Sequence, residues 1–228
     1  RFKRYGHLRS RTRGRGSLFV SAIFIVFLIV LSLMADVVSL ADPFLTDVRH
    51  SLAPPSSEHW LGTDDLGRDS FSRLVHGTKI SMAAATLATA VALGIGVPLG
   101  LLAGFFGGIV DAVVMRVIDT IMAFPGIVLA IAITAALGAN LVNSMLAVGF
   151  VGGPRFARLV RSQALTVREE PYVDAARSFG RSAYAIILNH ILPNSMMAVV
   201  VQGSMYFGVA LLSEATLSYL GLGVQAPQ

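Results

Sequence analysis

The chain has 228 residues, 54% of them hydrophobic and only 14% charged, with a mean hydropathy of +0.70. Such a chain is too apolar for a soluble domain of this size and belongs in a bilayer. The absence of cysteine excludes disulfides and thiolate metal sites, and the formal net charge of +5 has meaning only once its cations are placed along the chain.

Residues 1–16 form a basic arm, with seven of the eighteen basic residues falling in 1–15. Clustered arginine with an interleaved tyrosine suits a phosphate-binding tail, but beside a membrane span it reads as a topology anchor touching anionic lipid, with no nucleic-acid partner. Residues 17–35 form the first apolar span. It is long, and no small-residue cleavage site precedes Asp36, so it reads as a retained helix and not a secretory signal. Four further apolar stretches, 80–106, 117–137, 141–165 and 196–220, are long enough for the roughly 20 residues a helix needs to cross about 30 Å of hydrocarbon.

Charge orients these five spans. Six more basic residues lie between 155 and 181, whereas seven of the thirteen acids lie between 36 and 69. By the positive-inside rule the N-terminus and the 155–181 region are cytoplasmic and 36–79 is an extracytoplasmic loop subdomain. The remainder, 80–228, is one helical core with a cytoplasmic loop at about 169–193.

The outer segment holds Pro43, Pro54 and Pro55 and the run HWLGTDDLGRDSFSRLVHGTKIS, a composition of turns and short elements. His59, His76, Asp64, Asp65 and Asp69 invite a metal-site reading, yet they match no calcium-loop spacing and read equally well as Asx turns and helix caps. In the second span Gly96, Gly100 and Gly104 recur at four-residue spacing and predict close helix packing. Pro98 and Pro125 are candidate kinks. Arg116 and Asp119, three apart, form a candidate local pair. Arg155, Arg158 and Arg161 mark a helix end that protrudes into the cytoplasm, either as a solvated face or as a partner contact. In the last span Gln202, Ser213 and Glu214 are candidates for a pathway or a subunit interface, because an ionisable group in lipid must face protein or water.

Between the fourth and fifth spans lies YVDAARSFGRSAYAIILNHILP. Glu169, Glu170 and Pro171 suit a helix start and Gly180 its end. Tyr172, Ala175, Ala176 and Phe179 share one face at helical spacing, while Asp174, Arg177 and Arg181 share another. The order Asp174-Ala175-Ala176, Gly180, Leu192-Pro193 resembles the cytoplasmic EAA signature of permease subunits of ATP-binding-cassette importers, with Asp where Glu is usual and His190 where Ile is frequent. The outer string Gly62-Thr63-Asp64, then Gly67-Arg68-Asp69, resembles the dipeptide, oligopeptide and nickel subgroup.

That resemblance, which runs from about 58 to 227, implies an all-α polytopic permease of the type I ABC importer architecture. Five spans are visible of an expected six, the sixth normally following the motif seen as Tyr219-Leu220-Gly221-Leu222-Gly223. It implies ATPase coupling through Tyr172, Asp174, Ala175, Ala176, Phe179, Gly180, Leu192 and Pro193, and an outer face at Gly62, Thr63, Asp64, Gly67, Arg68 and Asp69 that meets a substrate-binding protein. It also implies a heterodimer with a second homologous permease, two cytoplasmic ATPases holding ATP and Mg, and a multi-pass place in the bacterial inner membrane. No cofactor is expected on this chain. It contains no G-x-x-x-x-G-K-[ST], H-E-x-x-H or G-x-S-x-G pattern, so it is read as a non-enzymatic subunit powered by another chain. The expected cargo is a di- or oligopeptide. A nickel permease of the same subgroup is the alternative, followed by a proton-coupled secondary transporter using Glu214.

Overall fold

Among the described residues every regular element is helical apart from one isolated bridge between Thr63 and Asp69. The computed structural model describes residues 8–39 and 41–223, with side-chain surroundings from residue 19 onward. Part of the basic arm predicted at 1–16 and the tail at 224–228 therefore lie outside the described residues. The chain divides into two units, 1–82 and 83–228.

The first unit begins with α1 (Leu8–Leu33), followed by a short α2 (Ala35–Val38), a 3₁₀ turn at Val48–His50 and the start of α3 (Ser70–Phe106). Ile23 through Phe27 are consecutive and all exposed, so α1 is apolar on every side, which suits lipid or partner helices and not water. α3 starts ten residues before the predicted span at 80. Asp69 explains this: its Oδ2 accepts the Ser72 N–H at 2.7 Å, the bond of an N-cap, so the polar stretch from Ser70 to Lys79 is wound into the helix.

The second unit holds the rest of α3, α4 (Gly108–Met122), α5 (Gly126–Leu137), α6 (Leu141–Arg168), α7 (Pro171–Ser178), α8 (Ala183–Ile186), a π-helical turn at Ile187–Ile191 and α9 (Leu192–Tyr219). α6 is its centre, packed chiefly against α5 and α9. One core cluster gathers Ala88, Ala92, Met145, Phe156 and Tyr206, and a second gathers Leu101, Val160, Val173, Ile187 and Ile191. Gly96 and Gly100 let α3 touch the α6 backbone: a Cβ on Gly96 would lie 2.4 Å from the Gly153 oxygen.

The two candidate kinks behave differently. α3 runs unbroken through Pro98, whereas the stretch predicted as one span at 117–137 is broken before Pro125, with α4 and α5 bent by 90°. The α region is disfavoured for Phe124 because it precedes a proline, and Pro125 supplies no N–H. Two described helices are long and apolar enough to cross a membrane, Ser70–Phe106 and the continuous run Ala183–Tyr219, and a third crossing is made if the bent pair counts as one. This is fewer than the five spans expected. The count covers the described residues, which take in only Phe19–Leu33 of the apolar part of α1, and α6 carries Asn143, Ser144 and three arginines before its last turn.

Candidate functional site

The segment singled out between the fourth and fifth spans forms a short, firmly seated helix. α7 follows α6 after only Glu169 and Glu170, and Pro171 at its first position has its φ preset for the turn. Asp174 in the first turn and Arg177 in the last suit the helix dipole, and they pair at 3.3 Å. The helix ends in a Schellman motif. The Arg181 N–H donates to the Ala176 carbonyl at 3.1 Å and the Gly180 N–H to the Arg177 carbonyl at 2.9 Å. Gly180 holds the left-handed conformation this needs, with φ of 73°.

Val173 and Ala176 are the residues of α7 that turn inward, against a core that includes Val167, Ile186, Ile187 and Ile191. The face read from sequence is therefore split: Ala176 is buried, while Tyr172, Ala175 and the 87%-exposed Phe179 stay outside with Asp174. Leu192 packs on the same core and Pro193 is exposed at the start of α9. The Tyr172 ring lies 5.8 Å from the His190 ring, and the Arg177 guanidinium sits 5.6 Å over Phe105. The result is a rigid handle bearing aromatic and charged groups, anchored to the ends of α6 and α9.

The arginines of α6 are engaged more fully than expected. Arg158 pairs with Asp119, correcting the predicted local pair with Arg116, and Arg161 forms a two-point pair with Asp111, with Nη2 to Oδ2 at 2.6 Å. Arg168 donates to the carbonyls of Gly104 and Phe105 at 3.2 and 3.4 Å, capping the C-terminus of α3. Arg158 and Arg161 thus fasten α4 to α6 and are not a free solvated face.

In the first unit the outer motif folds into one knot. Asp64 Oδ1 accepts the N–H groups of Leu66 and Arg68 at 2.9 Å each, and Oδ2 accepts Arg68 Nε at 2.8 Å and the Arg73 guanidinium. Burial opposes ionisation, but these donors outweigh it and bring the Asp64 pKa down to about 2. Asp69 is buried, which raises its pKa, yet Ser72 and the His59 ring, 3.0 Å away, hold it below the usual carboxylate range. Thr63 ties the knot to the preceding loop, accepting the Ala53 N–H at 2.8 Å and donating to the His50 carbonyl. Gly67 has φ of 73° and lies so close to Asp47 that a Cβ would meet its carbonyl oxygen at 1.7 Å. Gly62, also at positive φ, approaches Ala53 in the same way. His59 and His76 go to separate carboxylates, Asp69 and Asp36. No cluster of three or more metal-binding side chains occurs among the described residues.

The three polar residues of the last span do not converge. Glu214 is buried and accepts the Ser218 hydroxyl at 2.9 Å, Gln202 is half-buried three turns earlier, and Ser213 lines a cavity of about 240 Å³. That cavity is bounded by α5, α6 and α9, and Arg155, Tyr206 and Gly152 share its wall with Ser213. Tyr206 is buried and donates its hydroxyl to the Val148 carbonyl at 2.7 Å. Neither Tyr206 nor Arg155 was singled out from sequence as a lining residue. The available signal was a phenol in the apolar α9 and the first arginine of the α6 series.

Comparison with known proteins agrees with this architecture. Residues 96–228 match the family model described as binding-protein-dependent transport system inner membrane component. The chain is 43% identical over 91% of its length to the dipeptide transport system permease protein DppC of Alkalihalophilus pseudofirmus, spanning 68% of that protein. It is 42% identical over 91% of its length to the probable D,D-dipeptide permease DdpC of Escherichia coli K12, spanning 70% of it. A glutathione transport system permease, GsiD of Pectobacterium atrosepticum, is 46% identical over 76% of this chain and 58% of its own length. Among solved structures, a chain of the MetNI methionine ABC transporter in inward-facing conformations superimposes with a TM-score of 0.55 at 18% identity, over 66% of this chain and 76% of that one, a likeness of fold.

Proposed function

Because the chain belongs to the binding-protein-dependent transport system inner membrane component family, we propose that it is the permease of an ATP-driven importer of short peptides. The observation that carries the cargo class is the 43% identity over 91% of the chain to a dipeptide permease, with D,D-dipeptide and glutathione permeases at similar identity. In this reading the chain has the type I importer architecture with six spans and a cytoplasmic N-terminus. It pairs with a second homologous permease, receives substrate from an extracytoplasmic binding protein near the Asp64 knot, and draws energy from two ATPases that hold ATP and Mg.

The geometry of α7 supports a coupling role. Its exposed Tyr172, Asp174, Ala175 and Phe179 form the surface offered to an ATPase, while Val173 and Ala176 lock it into the core shared with α6, the π turn and α9. A force on α7 passes to α6 and α9, the two helices that contribute Arg155 and Ser213 to the cavity. Alternating exposure of that path follows as a rigid-body change of these helices.

The test is uptake of labelled peptides, with nickel alongside, into vesicles holding the full set of subunits. Peptide uptake that requires ATP and the ATPases is the expected result. Nickel uptake without peptide uptake, or uptake driven by a proton gradient alone, overturns the proposal. Gly180→Val forces a branched residue into φ of 73°, and is expected to abolish uptake while the chain still inserts in the membrane.

A further inference from the structure

Arg155 stands apart from the other arginines on its helix. Arg158 and Arg161 each hold a carboxylate and Arg168 holds two carbonyls and Glu169, whereas Arg155 has no carboxylate partner among the described residues. It lies fourteen residues into α6, about 21 Å along the helix at ~1.5 Å per residue, with its side chain exposed at the border of the cavity. A guanidinium beside apolar helices is costly in lipid unless it faces protein or water. Here it borders the cavity of about 240 Å³, which Tyr206 and Ser213 also line.

We propose that this cavity is a carboxylate subsite on the transport path, in which Arg155 receives the C-terminal carboxylate of a peptide substrate. The inference rests on the peptide reading given above. The planar guanidinium matches a carboxylate with two parallel N–H donors. The hydroxyls of Tyr206 and Ser213 already donate to the Val148 and Val209 carbonyls, so their oxygens are left as acceptors for the peptide N–H next to that carboxylate. The small residues Gly126, Ala130 and Gly152 leave the room. The volume is that of about eight waters at ~30 Å³ each and lies under the ~300 Å³ at which pockets enclose whole ligands, so it takes one end of a peptide and leaves the rest in the path.

The test uses the whole importer carrying Ser213→Cys, a unique thiol among these 228 residues, which hold no cysteine. Val209→Cys, on the same wall, replaces it if that variant does not assemble. Maleimide labelling of the thiol, read by mass spectrometry of this chain, is followed with three probes: a dipeptide, the same dipeptide amidated at its C-terminus, and acetate. The dipeptide and acetate are expected to slow labelling and the amide is not. Arg155→Gln removes the protection and Arg155→Lys keeps part of it. With the binding protein saturated, Arg155→Gln on the wild-type background lowers dipeptide uptake about tenfold or more, the loss expected for one charge-assisted contact. Equal protection by dipeptide and amide, or protection that survives Arg155→Gln, overturns the proposal. So does loss of the second permease from the Arg155→Gln complex, which would give Arg155 a partner-chain carboxylate. If the unmodified importer takes up no peptide while acetate still protects through Arg155, the peptide reading fails and the carboxylate subsite stands.

Discussion

Replacing Gly100 by alanine isolates the packing of α3 on α6. A Cβ there would lie 2.5 Å from the Ala157 carbonyl oxygen, 2.8 Å from Val160 Cβ and 3.0 Å from the Arg161 nitrogen. Ordinary contact begins near 3.4 Å, and two of these three neighbours are backbone that no rotamer change can move aside. The helices must part by several tenths of an ångström, an overpacking cost of about 1–3 kcal/mol. Against it stands the gain of about 1 kcal/mol that alanine brings to a helix interior. Gly94 supplies the control: it sits on the same helix with nothing within 4 Å of its Cβ position, so Gly94→Ala collects the gain alone. The difference between the two variants cancels propensity and leaves the packing cost. At about 2–4 °C per kcal/mol for a chain of this length, Gly100→Ala should unfold at least about 2 °C below Gly94→Ala. The measurement is thermal unfolding of the purified importer. Gly104→Ala refines it, since its nearest obstacle is the Ala164 side chain at 2.5 Å, and Ala164→Gly should recover part of the loss. Equal melting of the Gly94 and Gly100 variants would refute the argument that backbone contact, and not glycine content, holds these helices together.

Three further outcomes are expected. A Cβ on Gly152 would overlap the Tyr206 ring at 2.2 Å, so Gly152→Ala and Tyr206→Phe should be strongly non-additive in a double-mutant cycle, with Tyr206→Phe alone costing about 1 kcal/mol. The pKa of Asp64 is about 2 in the folded chain against an ordinary 3.8, so its stabilisation is present above the higher value and is lost as pH falls through the lower one; Asp64→Asn should cost about 1–2 kcal/mol at neutral pH and flatten acid unfolding between those values. Asp111→Ala strands a partly buried guanidinium and should cost about 1.5–3 kcal/mol, whereas Asp119→Ala breaks an exposed pair and should stay within about 1 kcal/mol, both read from chemical denaturation of the complex.

How far the sequence could be read depended on whether the deciding contact was local. The bounds of α7 were legible because Pro171 and Gly180 act within one turn of themselves, through a preset φ and a left-handed cap. The break at Pro125 was legible for the same reason, although its 90° angle was not. The face of α7 was only half legible: spacing grouped Ala176 with Tyr172, and the choice of Val173 as its buried companion was made by Ile186 and Ile191, which arrive from a later helix. The early start of α3 was obscured because the stretch from Ser70 to Lys79 is polar, and the Asp69 cap outweighs a hydropathy count.

Charge shows the limit most clearly. The three-residue spacing of Arg116 and Asp119 satisfies the local pairing rule, yet Asp119 goes to Arg158, thirty-nine positions away, and Asp111 goes to Arg161 across fifty. An isolated helix pair of this kind is worth only about 0.2–0.5 kcal/mol, so a guanidinium offered by the packed neighbour helix displaces it. Two acids eight residues apart on α4, followed by arginines one turn apart on α6, were the signal for a fastened pair of helices. Arg155 belongs to the same arginine series and would have been assigned with it to the solvated face. Its separate place emerges only by subtraction, after α4 and the end of α3 have claimed the other three cations and the cavity beside Tyr206 and Ser213 remains for the fourth.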